Sequence, residues 1–380
     1  MPTSSERILM VMDSMGTGGT ETHVLSLGKA LRSSGVQLFY SGADGPFYRA
    51  FADAGFRLHL IEQSNEPLPI RREKQQQTLR NVIKEEKISI VHVHQTPSGL
   101  LAAEAAAELG VPVVFTMHGT YYPVDEAVSL AQRCDAMISV SKPVQSFWKK
   151  HGVESTVISN GVDLQEFETA STVNLRETTL SSLPQDAFIV TYVSRLAWQK
   201  ASVCNMLLRS TKTLNDIPNL HIVVVGTGAQ SHFVQELAQA LNKLKGYPYV
   251  HIAGEQTDVK PYYEVSDLVV GTGRVALEAM ACGKPVLAIG NHGYVGLVTP
   301  DTYDLAWEYY FGDHQSVGKP SPGMIAEALR KAFADRHLLQ SWGEQGKDWV
   351  RSRFDIRQKS EELLAFYSAV RSKKKGGGTI

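Results

Sequence analysis

Two α/β domains, each a doubly wound parallel sheet covered by helices on both faces, are the fold class that this sequence predicts. Three observations carry the expectation. From Arg7 to Gly290 the chain alternates short, nearly continuous apolar runs with longer amphipathic stretches. The rhythm breaks once, in a polar segment over 160–186. The length, 380 residues, suffices for two separate cores.

The first half offers strands at 7–13 (RILMVMD), 36–41, 57–61, 88–94 (ISIVHVH), 112–117 and 135–140. Amphipathic stretches lie between them, such as 20–34 and 98–109, the latter opening at Ser98 and closing at Gly110. Asn160-Gly161 then signals a turn, and TASTVNLRETTLSSLPQD has no strong period. Strands resume at 187–194 (AFIVTYVS), 220–225, 249–253, 267–270 and 285–289, and helical patterns close the chain at 322–334, 336–352 and 356–371. The expected division is a first domain at 1–165, a linker at 166–186, a second domain at 187–354 and a disordered tail at 373–380. Two such sheets joined by a linker set a cleft between the carboxyl ends of their strands, where ligands bind.

Composition narrows the function. Lys plus Arg (38) balances Asp plus Glu (39), so no nucleic-acid partner is expected. The apolar runs are strand-sized and the N-terminus lacks a signal-peptide pattern, which predicts a cytoplasmic protein. Cys134, Cys204 and Cys282 fit no zinc spacing and no disulfide framework, so free buried thiols are expected. Basic clusters at Arg71, Arg72 and Lys74, at Lys149 and Lys150 beside Trp148, and at Lys373, Lys374 and Lys375 read first as solvated surface. The alternative is a peripheral contact with the inner face of an anionic membrane, with Trp148 as its anchor.

The chemistry-bearing residues follow strands. MGTGGTETH places Gly16, Gly18 and Gly19 before a helix, where backbone can approach an anion closely; Glu21 replaces the third glycine of a dinucleotide fingerprint, and a plain tight turn is the alternative. His118 follows the fifth strand. His92 and His94 share one strand face, and with no third ligand at useful spacing no metal is expected. In YVSRLAWQKAS, Arg195 and Lys200 suit a diphosphate, or are two surface cations. Gly226 and Gly228 make another strand-to-helix turn. In VGTGRVALEAM, Gly271 and Gly273 precede a helix carrying Arg274 and Glu278, four apart, for which an ion pair worth about 0.2–0.5 kcal/mol is the structural alternative. Walker A spacing and a D-x-D metal motif are both absent. Together these features describe a nucleotide-diphosphate site.

On GGTETHVLSLGKAL, VHVHQT, FTMHGTY, VSKPV, VISNGVDLQEF, SRLAWQK, VVGTG and GRVALEAMACGKPV, the chain resembles the GT-B glycosyltransferases, specifically the retaining family numbered 4. The resemblance implies two Rossmann-like domains with a terminal helix, here 355–372, crossing back to the first. It implies that Arg195 and Lys200 bind the donor diphosphate and that Glu278 accepts hydrogen bonds from the ribose hydroxyls. The amides of Gly273, Arg274 and Val275 would add positive helix-end potential, Gly226 and Gly228 would line the donor site, and Gly18 and Gly19 would bring backbone against the phosphate and sugar. His118 would face the donor sugar, and Asp258 and Val259 would lie near the base. Departures stand at Val270, where the family has an acid, at Ser194 and Ala201, where glycine is usual, and at Gly296, which replaces another acid.

The implied reaction moves a sugar from a nucleotide diphosphate, UDP by resemblance, to a hydroxyl of a glycan, glycolipid or other acceptor with its anomeric configuration retained. Bacterial surface glycans are the acceptors suggested, and neither cofactor nor metal is expected. Two rivals stand beside it: a sugar-nucleotide epimerase, and a nucleotide-sugar-binding subunit supporting a partner transferase, motivated by Val270 and Gly296.

Overall fold

The computed structural model describes residues 6–62, 64–290, 293–313 and 318–375. It forms two compact units, one made of the chain up to Asp163 together with the chain from Phe354 onward, the other of Leu164–Arg353.

The first unit is built on seven parallel strands: β1 (Arg7–Ser14), β2 (Gln37–Ala43), β3 (Arg57–Leu60), β4 (Ile90–Val93), β5 (Val113–Met117), β6 (Ala136–Ser139) and the two-residue β7 (Thr156–Val157). Their order is β3-β2-β1-β4-β5-β6-β7, so the winding reverses between β1 and β4. Connecting helices are α1 (Gly19–Ser33), α2 (Tyr48–Asp53), α3 (Leu68–Glu85), α4 (Thr96–Glu108), α5 (Val124–Ala131) and α6 (Lys142–Lys149). Successive β1 side chains serve opposite faces. Leu9 and Val11 pack with the α3 and α4 side, whereas Ile8, Met10 and Met12 pack with α1. This two-sided burial is why the strand reads as a continuous apolar run.

In the second unit, α7 (Leu164–Glu168) precedes β8 (Phe188–Val193), β9 (Leu220–Val225), β10 (Val250–Gly254), β11 (Leu268–Gly271) and β12 (Val286–Gly290), all parallel, and β13 (Gly293–Leu297), antiparallel to β12. The order β10-β9-β8-β11-β12-β13 reverses between β8 and β11. Helices α8 (Trp198–Ser210), α9 (Ser231–Lys245), α10 (Lys260–Val265), α11 (Gly273–Ala281), α12 (Tyr303–Glu308), α13 (Pro322–Ala334) and α14 (Arg336–Phe354) follow in chain order. The last helix, α15 (Ile356–Lys375), packs on α1 in the first unit. It is held by Ile356 N–H donating to Val162 O at 3.0 Å and by a hydrogen bond between Tyr367 and His92.

The structure revises several expectations. The stretch 166–186 belongs to the second unit rather than standing as a separate connection. The reason is a buried cation: Lys260 Nζ donates to Glu166 O at 2.6 Å and to Thr169 O, and Glu264 accepts from Ser171 N–H at 2.9 Å. Trp148 cannot anchor a membrane, because it is 0% exposed and its indole donates to Gly119 O at 2.9 Å. Of the tail, Lys373 and Lys374 continue α15 through an ion pair of Lys374 with Asp135 at 2.9 Å, while residues 376–380 lie outside the described residues. The thiols are free, but only Cys204 is fully buried. Among the described residues no helix is long and apolar enough to cross a membrane.

Candidate functional site

Each unit presents its chemistry at the carboxyl end of its sheet, beside the point where the winding reverses, which is where open α/β sheets bind ligands.

In the second unit that point is flanked by the loop after β8 and the start of α11. Lys200, half-buried, stands in the first turn of α8, and Arg195, exposed, in the loop after β8. It is fixed from behind by the β9 turn: Leu196 N–H donates to Thr227 O at 2.8 Å, and Gln230 N–H donates to Leu196 O at 3.0 Å. Gly226 and Gly228 are required for this contact. A Cβ at Gly226, whose φ is +119°, would lie 2.1 Å from Ser194 O, and one at Gly228 would lie 2.5 Å from Leu196 O. These two glycines therefore shape the loop that carries Arg195. Trp198, 74% exposed, sits in the left-handed region at φ +45°, with the Arg195 guanidinium 6.0 Å from its ring centroid.

Helix α11 begins at Gly273 (φ +53°), where a Cβ would meet the Tyr310 ring at 2.9 Å. No side chain caps its start, so the amides of Gly273 and Arg274 keep the partial positive charge of a helix N-terminus, while Val275 N–H donates to Thr272 O at 3.1 Å. Glu278 is only 6% exposed. Its carboxylate accepts from Arg274 Nε at 2.5 Å and from the Tyr263 hydroxyl at 3.0 Å. Burial pushes the Tyr263 phenol well above its ordinary pKa, with the Glu278 charge adding to it, so Tyr263 is a fixed donor. The structure thus realises the ion pair that the spacing allowed, and a carboxylate with two partners keeps lone pairs for two hydroxyls. Asp258 and Val259 do not join Arg195 or Glu278 directly. Asp258 Oδ1 accepts from Lys260 N–H at 3.0 Å and Val259 O accepts from Tyr263 N–H at 3.3 Å, so this loop anchors α10, which carries Tyr263. Val270 is 0% exposed within β11 and packs with Tyr192 and Leu287 in the core, so that position has become structural.

In the first unit the end of β1 is laced to the loop after β4 and the start of α4. Asp13 N–H donates to Gln95 Oε1 at 2.5 Å, and Ser98 N–H at the start of α4 donates to Asp13 Oδ1 at 3.1 Å. Gly18 caps α1 in extended backbone, and the Glu21 carboxylate folds over it so closely that a Cβ would lie 2.5 Å from Oε2. A Cβ at Gly19 meets nothing within 4 Å. His118 follows β5, its backbone N–H donating to the Tyr122 hydroxyl at 3.3 Å, and its Nε2 lies 3.0 Å from His94 Nδ1. His23 stands edge-on to His118, their ring centroids 5.2 Å apart. Burial depresses His118 and His92 to about 3 and His94 well below its usual range, so all three are neutral near pH 7. Sequence reasoning identified His118 but missed His23, His94 and Tyr263 as its partners and those of Glu278. The alternation of His92 and His94 was the one visible signal for that cluster. Among the described residues no group of three His, Cys, Asp or Glu could hold a metal ion.

Residues 17–166 match the model for Glycosyltransferase Family 4, and 179–349 match that for Glycosyl transferases group 1. EpsD of Bacillus subtilis is 24% identical, aligning 90% of this chain with 96% of its own. The alpha-monoglucosyldiacylglycerol synthase of Streptococcus pneumoniae is 25% identical over 64% of this chain and 61% of its own. Among solved structures, Anabaena HepE in complex with UDP-glucose superposes with a TM-score of 0.75 at 20% identity, covering 96% of this chain and 99% of HepE. With both halves of the chain matched in order and the two-sheet fold superposing on HepE over nearly its whole length, the protein belongs to the GT-B glycosyltransferases of the family 4, group 1 type.

Proposed function

We propose that the protein is a retaining glycosyltransferase that moves a sugar from a UDP-sugar to a hydroxyl of a surface glycan or glycolipid, without a bound metal. The observation that carries the reading is the second unit's reversal point, where Arg195 and Lys200 follow β8, the uncapped start of α11 follows the neighbouring β11, and Glu278 is held one turn further along. A diphosphate fits between such groups, because charged donors and helix-end amides each favour an anion there. The UDP and glycolipid assignments draw on HepE, solved with UDP-glucose, and on the diacylglycerol glucoside synthase.

In this reading Glu278 holds the ribose and Arg195, Lys200 and the α11 amides hold the diphosphate. Retaining hydrolases use a carboxylate nucleophile paired with a carboxylic acid. Glu278 is instead committed to Arg274 and Tyr263, and the transfer runs on one face of the sugar. The bond from the anomeric carbon to the phosphate oxygen breaks, its electron pair leaving with the diphosphate. The acceptor oxygen bonds to the same carbon from the same side, and its proton passes to the departing phosphate oxygen. Preorganised positive charge supplies the rate.

The test is turnover of UDP-sugars with glycolipid and glycan acceptors, after a thermal-shift screen against UDP, GDP and ADP sugars, where ligand at a hundred times Kd adds about 2.7 kcal/mol. Arg195→Ala and Lys200→Ala should each lower kcat by roughly 10²–10³. Near-normal rates in both variants overturn the diphosphate assignment. A new sugar-nucleotide isomer formed without acceptor would identify an epimerase, and donor binding without transfer a supporting subunit.

A further inference from the structure

The histidine column of the first unit fixes which edge of His118 can meet a ligand. His94 is fully buried, with Nε2 lying 3.5 Å from Met10 Sδ and Nδ1 lying 3.0 Å from His118 Nε2. A thioether sulfur offers lone pairs and no proton. Were the His94 proton on Nδ1, the Nε2 lone pair would face that sulfur with no donor, and a buried acceptor would be left unsatisfied. The proton therefore sits on Nε2, and Nδ1 is an acceptor. His118 Nε2 must then be the donor, since a hydrogen bond between two ring nitrogens needs one proton. His118 is a neutral ring with a single N–H, so its Nδ1 is left as a bare lone pair. The neighbouring rings keep the column rigid: His92 stacks 4.1 Å from His94, centroid to centroid, and is clamped by Tyr367 Oη at 2.5 Å and Thr116 Oγ1 at 2.7 Å. Tyr122 donates to His94 O at 3.0 Å and accepts from His118 N–H, tying the two backbones together.

The geometry points to Met10 and His94 as positioning residues that hold His118 in its Nε2–H form, so that the ring offers an acceptor, Nδ1, to a hydroxyl of the donor sugar. A ring of the opposite tautomer would instead offer a donor, suited to phosphate or carbonyl oxygen. This inference rests on the transferase reading only for the identity of what Nδ1 meets; the tautomer itself does not depend on it.

The experiment has a part without substrate and a part with it. Long-range ¹H–¹⁵N spectra of the full chain with labelled histidine, at pH 7, should show His94 and His118 as neutral Nε2–H rings, assigned by the signals lost in His94→Phe and His118→Asn. Met10→Leu, close in volume, should convert both rings to a mixture of tautomers and lower kcat several-fold with KM for the acceptor unchanged. Of two replacements, His118→Asn, with an amide oxygen near the Nδ1 position, should retain at least ten times the kcat of His118→Gln. A His118 found as Nδ1–H or as imidazolium overturns the inference, as does a Met10→Leu enzyme with unchanged spectra and rate. The expected spectra in a protein that transfers no sugar would uphold the tautomer and defeat the transferase reading instead.

Discussion

Gly226 carries no charge, yet its replacement should displace Arg195 and with it the diphosphate binding proposed for that residue. It follows β9 at φ +119°, a conformation that alanine strains to adopt, at a cost of about 1–3 kcal/mol. The added Cβ would stand 2.1 Å from Ser194 O, whereas ordinary contact begins at 3.4 Å. The gap must open by about 1.3 Å, and a shift of even about 1 Å in a positioned group can cost roughly 10²-fold in rate. The glycine cannot retreat easily, because Gly226 N–H donates to Gly254 O at 2.7 Å and Ser194 N–H donates to Val225 O at 3.0 Å, so the movement falls on the adjoining Arg195. Gly226→Ala should therefore lower kcat/KM about a hundredfold, measured well below the melting temperature of the variant. In an Arg195→Ala background the same change should cost far less, because both act through one side chain. Full activity of Gly226→Ala, or strictly additive losses in the double variant, would refute the account.

Glu278→Gln leaves the Arg274 guanidinium beside a neutral amide in a mostly buried site, and losing one member of such a pair costs about 3–5 kcal/mol. Calorimetry should show the lower melting temperature, and the thermal-shift preference for UDP over its 2′,3′-dideoxy analogue should vanish. Acid should loosen the first unit. His92 and His118 are held at about 3 when folded against about 6.5 unfolded, so the unfolded chain binds more protons between those values and stability falls as pH drops through that window. Between pH 6.5 and 5 the loss approaches about 2 kcal/mol for each ring, readable by urea titration. Lys260→Ala removes the cation that gathers the carbonyls of Glu166 and Thr169, and limited proteolysis should then cut within 164–186 several times faster than in the parent.

Strand positions were legible because a parallel strand buried on both faces spells itself in Val, Ile and Leu: all eleven anticipated strands occur within two residues of their expected ends. Missed were β7, only two residues long, and β13, whose Gly-Tyr-Val-Gly-Leu is stabilised by its antiparallel partner β12 rather than by its own pattern. Trp148 was legible in retrospect, since Val144 precedes it by four and both face the core of α6. Adjacent lysines drew attention to charge instead. Residue types and spacing singled out Arg195, Lys200 and Glu278 as candidates, yet no local signal pairs Tyr263 with Glu278, fifteen residues away, or Met10 with His94, eighty-four away. Nor could spacing reveal that Gly226 and Gly228 serve a neighbouring loop, because close approach of backbones is a property of the sheet order.

The docking of α15 onto the opening domain has a consequence for synthesis. The residues up to Asp163 lack the tyrosine that clamps His92 and the isoleucine whose amide meets Val162 until the whole second unit and then α15 have been made. Its sheet can collapse before α15 exists but is completed only by it, so a stop codon shortly before Ile356 would spare Arg195, Lys200 and α11 and still yield a first unit lacking its last helix and prone to chaperone capture.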